Sequence, residues 1–153
     1  MKKFILIMLF LFLSSCASKV PHKITSKNLV GTWLLEDYGY GQYSHSILAF
    51  LPNGEKCVVT YDFSANGNIE LDYYLNHYTI EADILVTKVD YSSTPSLYPS
   101  YEIRDKIKEL SNIKLVLLMI QPSSSNPRFE KHTRLVHENP ERVCELVKRK
   151  LRQ

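Results

Sequence analysis

Three cysteines are the residues most able to do covalent chemistry: Cys16, Cys57 and Cys144. Cys16 stands directly behind Leu13-Ser14-Ser15, at the end of an unbroken apolar run from Phe4 to Leu13 that follows Lys2 and Lys3. That run is shorter than the ~20 apolar residues a membrane-spanning helix needs. A positive start, a short apolar core and small residues before a cysteine read as an export signal that is later removed. Cys57 and Cys144 would then sit in an oxidising compartment, where disulfides persist. No other chemistry-bearing motif is present: no G-x-S-x-G, no H-E-x-x-H, no phosphate-binding glycine loop and no C-x-x-C. His22, His45, His77, His132 and His137 lack ligand spacing, and the last two, five apart, face opposite sides if they share a strand. Ser123-Ser124-Ser125 reads as a loop and Glu36-Asp37 as a solvated strand end. With no activated nucleophile and no metal set, neither catalysis nor a cofactor is expected.

The remaining chemistry is aromatic. Ten tyrosines and six phenylalanines favour strands and supply apolar bodies with polar tips. Charge adds little: the net charge is +3 and falls to about +1 once Lys2 and Lys3 are gone, too balanced for a nucleic-acid partner. The length of 153 residues suits one domain.

The elements that position these residues are mostly strands. From Lys56 to Phe63, Cys57, Val59, Tyr61 and Phe63 alternate with Lys56, Val58, Thr60 and Asp62, the period of a half-buried antiparallel strand. Asn53-Gly54 before it is a hairpin turn. Eight strands are expected near 30–37, 44–51, 55–63, 69–76, 78–81 running toward 91, 101–110, 113–121 and 129–136. The fourth and fifth have an alternative division that is preferred: a strand running on to Glu81, a turn at Ala82-Asp83 and a strand over 84–91, with a bulge near Asn76. Connections then alternate between tight turns (53–54, 82–83, 111–112) and longer loops (38–43, 64–68, 92–100, 122–128). In an up-and-down meander, alternate connections lie at opposite ends, so one end is closed and the other is an open mouth. Near the end of the chain, Asn139 caps and Pro140 opens a helix whose apolar stripe is Val143, Leu146, Val147 and Leu151. The expected seventh strand is apolar on both faces, with Ile113, Leu115, Leu117 and Met119 inside and Val116, Leu118 and Ile120 outside. The helix is expected to cover that outer face.

Two family resemblances follow from these residues. Leu13-Ser14-Ser15-Cys16 resembles the lipobox of bacterial lipoproteins. The resemblance implies a signal peptide over 1–15, diacylglycerol on the Cys16 thiol and cleavage before Cys16. Residues 16–28, polar and carrying Lys19, Lys23 and Lys27, then read as a tether to the membrane. Ala17, not Asp, follows the cysteine, which resembles lipoproteins bound to the outer membrane and facing the periplasm in a two-membrane host. The second resemblance covers residues 29–153. Gly31-Thr32-Trp33 resembles the G-x-W that opens the first strand of lipocalin-like (calycin) barrels, and Arg134 resembles the arginine that stacks on that tryptophan. It implies an eight-stranded up-and-down antiparallel β-barrel with a C-terminal helix packed outside, closed at the base by Gly31, Trp33 and Arg134. The T-D-Y motif of classical lipocalins is absent, so a divergent member is expected.

In such a barrel, Tyr38, Tyr40, Tyr43, Tyr91, Tyr98 and Arg128 ring the mouth, and Tyr61, Phe63, Tyr73 and Tyr101 are expected inside. The interior either admits a ligand or is filled by its own side chains. The first expectation is a small apolar or amphipathic ligand bound at the mouth without catalysis. The alternative is a protein-interaction module, an envelope accessory or inhibitor, with a filled barrel. With Cys57 facing inward and the helix outside, no Cys57–Cys144 bridge is expected, unless the helix crosses the closed end. Cys16→Ala is expected to abolish lipidation. Growth with radiolabelled fatty acid tests this, and label retained by the mutant would refute the lipoprotein assignment.

Overall fold

The computed structural model describes residues 24–37, 43–63, 67–95, 97–123 and 128–153. A four-residue helix, α1 (Ser26–Leu29), leads into eight strands: β1 (Gly31–Asp37), β2 (Tyr43–Phe50), β3 (Glu55–Phe63), β4 (Ile69–Glu81), β5 (Ile84–Ser92), β6 (Glu102–Leu110), β7 (Lys114–Gln121) and β8 (Phe129–Arg134). The helix α2 (Pro140–Lys150) follows. Each strand pairs antiparallel with the next, and β8 returns to β1, so the sheet closes. This is the expected up-and-down barrel, with the longer β4 and the turn at Ala82-Asp83 as preferred. The register shift falls between Leu75 and Asn76, but the extra residue is Asp90, so β5 carries the bulge. The described core, the closing pairs and α2 all lie within 24–153.

The tight turns follow local chemistry. At the β2–β3 hairpin, the Leu51 amide donates to the Glu55 carbonyl at 2.9 Å, and Gly54 takes a φ of +87°, a value that favours glycine. Below the barrel interior these turns close over a plug of Leu29, Trp33, Phe50, Tyr78, Leu85 and Leu115, all buried. Phe50 and Tyr78 meet edge to face at 5.1 Å, and the Tyr78 hydroxyl donates to the Leu51 carbonyl at 2.8 Å.

Trp33 and Arg134 are cross-strand partners, and the guanidinium lies 4.1 Å from the indole centroid. Arg134 also donates from Nη1 to the Val30 carbonyl at 2.7 Å and from Nη2 to the Asn28 carbonyl at 2.8 Å. The indole Nε1 donates to the Leu29 carbonyl at 2.8 Å. A Cβ on Gly31 would stand 2.3 Å from Arg134 Nη1, so the glycine is required by close approach.

The helix begins as expected: Asn139 Oδ1 accepts from the Glu141 amide at 2.8 Å, with Pro140 in the first turn. Its location differs from expectation. It packs on the outside of β2, β3 and β4, not on β7. Cys144 and Val147 bury against Ala49, Leu51, Cys57 and Val59, and Lys148 Nζ pairs with Glu55 Oε1 at 2.8 Å. Cys57 and Cys144 form a disulfide across this contact, with Cα atoms 5.2 Å apart, so the expected absence of a bridge is overturned. The helix does not cross the closed end to reach Cys57; Cys57 itself points outward.

The reason is a parity inversion. The alternation in β3 was sound, but its more apolar face was taken as the inner one. Leu48 and Leu35 face the interior together with Lys56, Val58 and Thr60, while Cys57, Val59 and Tyr61 lie outside beneath or beside α2. Alternation separates two faces without saying which is inside when both are covered. The same inversion puts Tyr61, Phe63 and Tyr73 outside, where interior positions were expected. Leu115 and Leu117 do face inward, whereas Ile113 lies exposed in the closing turn. The outer face of β7 stays without a helix, leaving Ile120 and neighbouring Phe129 exposed.

Thiol counting on the unfolded, non-reduced 24–153 domain should find no free cysteine. Cys144→Ser should lower its unfolding free energy by about 4 kcal/mol, since the bridge closes a loop with a sequence separation of 87. Two free thiols in a folded monomer would contradict the helix position.

Candidate functional site: the barrel interior

Above the plug the barrel holds a cavity of about 440 Å³. Its height follows from strand register. Ser44, Thr60 and Tyr74 lie toward the mouth, Leu48, Val58 and Val89 form the middle, and Lys56 and Thr87 stand deepest. Apolar side chains share the wall with Ser44, Ser46, Thr60 and Asn76, and the charged lining residues are Lys56, Arg128 and Glu130.

Lys56 is 7% exposed. Its Nζ has one hydrogen-bond acceptor, Thr87 Oγ1 at 3.4 Å, and lies 5.4 Å from the Phe50 ring centroid. Burial pushes its pKa below the usual lysine range, partly offset by the carboxylates of Asp105 and Glu130. Glu130 lines the cavity and is already engaged: Oε2 lies 3.5 Å from His132 Nε2 and Oε1 lies 3.8 Å from Arg128 Nε. Burial alone would raise the Glu130 carboxyl, but His132, Arg128 and Lys56 outweigh it and hold the group low. Asp105 and His132 sit one layer beneath, both almost fully buried. Among the described residues, Asp105 Oδ1 and both His132 ring nitrogens lack a hydrogen-bond partner; the 3.5 Å from His132 Nε2 to Glu130 is an ion-pair distance outside good hydrogen-bond geometry. Burial, against the attraction of Lys56, lifts the Asp105 carboxyl to about 6. A polar layer left incomplete in a low-dielectric interior is expensive, and such groups mark a place where other polar atoms belong.

The residues expected at the site divide into five groups. Arg128 does line the cavity. Tyr91 and Tyr98 are exposed, Tyr91 beside Leu75 and the end of α2, and Tyr98 edge to face with half-buried Tyr101 at 5.3 Å. Tyr61, Phe63 and Tyr73 are outside. Tyr38, Tyr40 and Cys16 lie outside the described residues, and Tyr43 opens β2 opposite Phe63. Gly31, Trp33 and Arg134 meet at the base. The residues missed are Lys56, Thr87, Asp105, Glu130 and His132. A signal for two of them existed: Arg134 faces Trp33, and counting back in twos along β8 places His132 and Glu130 on the same inner face. Among the described residues, no group of three or more His, Cys, Asp or Glu could hold a metal ion. Nor is any helix long and apolar enough to cross a membrane among those residues.

The closed eight-stranded up-and-down barrel with its C-terminal helix is a lipocalin-like fold. No family model and no curated protein matches the chain. Among solved structures, it is similar to a lipocalin-like protein from Bacteroides uniformis ATCC 8492, at 15% identity and a TM-score of 0.43, covering 70% of this chain and 97% of that one. It is also similar to an uncharacterized protein from Bacteroides eggerthii DSM 20697, at 16% identity and a TM-score of 0.42, covering 69% and 98%.

Asp105 generates a pH prediction. Its folded-state pKa is raised, so the folded barrel holds that proton more tightly than the unfolded chain does. Its contribution to stability is therefore best below about 3.8, declines as the pH rises to about 6, and stays lower above that. Asp105→Asn should remove this decline, adding up to about 3 kcal/mol near neutral pH and little in acid. Urea unfolding of both proteins in acid and at neutral pH measures it. Equal effects at the two pH values would show that the buried carboxyl is not the cause.

Proposed function

We propose that this chain is a lipid-anchored envelope protein whose barrel binds a small amphipathic molecule without catalysis. Lipid on Cys16 would hold it to the membrane through residues 16–28, on the periplasmic face of the outer membrane in a two-membrane host. The observation that carries the binding reading is the 440 Å³ cavity, whose wall mixes aliphatic and polar side chains above a buried lysine. Its volume falls in the range of small-molecule sites, ~300–1,000 Å³. The floor favours an amphipathic ligand over a wholly apolar one, because a hydrocarbon would leave the polar layer unpaired. A protein-interaction role is a second reading, supported by the exposed apolar side chains Ile120 and Phe129 on the outer β7–β8 face.

Native mass spectrometry of the 24–153 domain purified from its own host should show a bound small molecule. Thr60→Trp, which fills the upper cavity, should lower its occupancy at least about fivefold while the fold is retained. A folded domain that carries no ligand, and whose affinity for added amphiphiles is unchanged by Thr60→Trp, would favour the interaction reading.

A further inference from the structure

We propose that Lys56 is the headgroup-binding residue of the barrel cavity, and that the ligand is an amphipathic carboxylate whose tail points to the mouth. This rests on the ligand-binding reading above and names its chemistry. Lys56 is 93% buried, by its 7% exposure, and lines the deepest part of the cavity. An ammonium has three N–H donors. One reaches Thr87 Oγ1 at a long 3.4 Å, and no carboxylate lies within ion-pair distance of Nζ among the described residues. A buried ammonium in that state lacks the partner that ordinarily compensates its desolvation.

The nearby acids do not fill the gap. The two oxygens of Glu130 are turned to His132 and Arg128. Asp105 lies in the layer below and is not part of the cavity wall, and it acts on Lys56 only through its field. An anion entering from the mouth passes Arg128, which is already paired with Glu130, and reaches Nζ at the floor. It also meets the Thr87 hydroxyl, which accepts from Nζ and keeps its own O–H to donate to the same anion. A carboxylate offers acceptor oxygens for both donors and forms a charge-assisted bond in a water-poor site. Above the head, Leu48, Val58, Val89, Leu97 and Ile103 provide an apolar sleeve for a chain. The ligand therefore stands head down, with its polar end on the floor.

Three probes of equal chain length separate the possibilities: decanoate, 1-decanol and decylammonium, titrated calorimetrically into the 24–153 domain at neutral pH. Decanoate should bind at least about tenfold more tightly than decanol, the effect of one buried charge-assisted contact. Lys56→Met, which keeps the apolar stem and removes the charge, should erase that preference and leave decanol binding within about twofold. Lys56→Gln is measured in parallel so that the readout does not depend on the folding of one variant. Equal binding of decanoate and decanol, an unchanged preference in both variants, or tightest binding of decylammonium would each overturn the headgroup assignment. All three would leave the barrel as an amphiphile-binding protein. No binding of any probe to the folded wild-type domain would overturn the ligand-binding reading itself, and the headgroup assignment with it.

Discussion

The stacking of Arg134 on Trp33 is the contact on which the rest of the barrel depends. It joins the last strand to the first, so it is where an open meander becomes a closed sheet. It also gathers the carbonyls of Asn28, Leu29 and Val30 around one guanidinium and one indole. That draws Leu29 into the plug and seals the base. Closure removes the edge strands that would otherwise pair with other chains. It also sets the parity of β1 and β8, and through the antiparallel register it sets which side of every other strand faces inward.

With that parity set, the barrel divides its polarity in an unusual way. The apolar residues of β3, Cys57 and Val59, face outward because α2 covers them and a disulfide pins it there. The inner face of the same strand is Lys56, Val58 and Thr60, more polar than the outer one. The base is sealed by aromatic and aliphatic side chains with Arg134 stacked on Trp33, and a second charged layer lies above that seal. An interior built this way is neither a solid core nor a greasy pocket. It is a cavity of mixed aliphatic and polar wall over a charged layer.

The arrangement also accounts for the orientation of α2. Its first turn is fed from the base, where the Thr32 hydroxyl donates to the Glu138 carbonyl at 3.0 Å and the Leu135 amide donates to the Thr32 carbonyl at 2.9 Å. From there the helix runs across β2–β4, and the ion pair between Lys148 and Glu55 holds its later turns beside the β2–β3 hairpin. The apolar outer face of β7 is out of its path. Hydrophobicity of a strand face asks for a cover, but the length and direction of the connecting segment decide which face receives it.

Strand positions, turn positions and the helix cap were legible in the sequence by itself, because each depends on local periodicity or turn chemistry; the bulge was legible in level but lies on β5, and the Trp33–Arg134 pairing was implied by the lipocalin-like resemblance. The sidedness of β3, the disulfide and the charged layer were not. Period-two alternation distinguishes two faces but carries no sign, and the sign was assigned from the rule that apolar residues face inward. That rule fails where an outside helix buries one face and a cavity lines the other. Only closure of the sheet, which brings Lys56 of β3, Asp105 of β6 and the Glu130–His132 pair of β8 around one interior, decided that they meet. Within β8 the spacing of two puts Glu130 and His132 on one face, but the distance along the chain to Lys56 and Asp105 gives no local signal of the meeting.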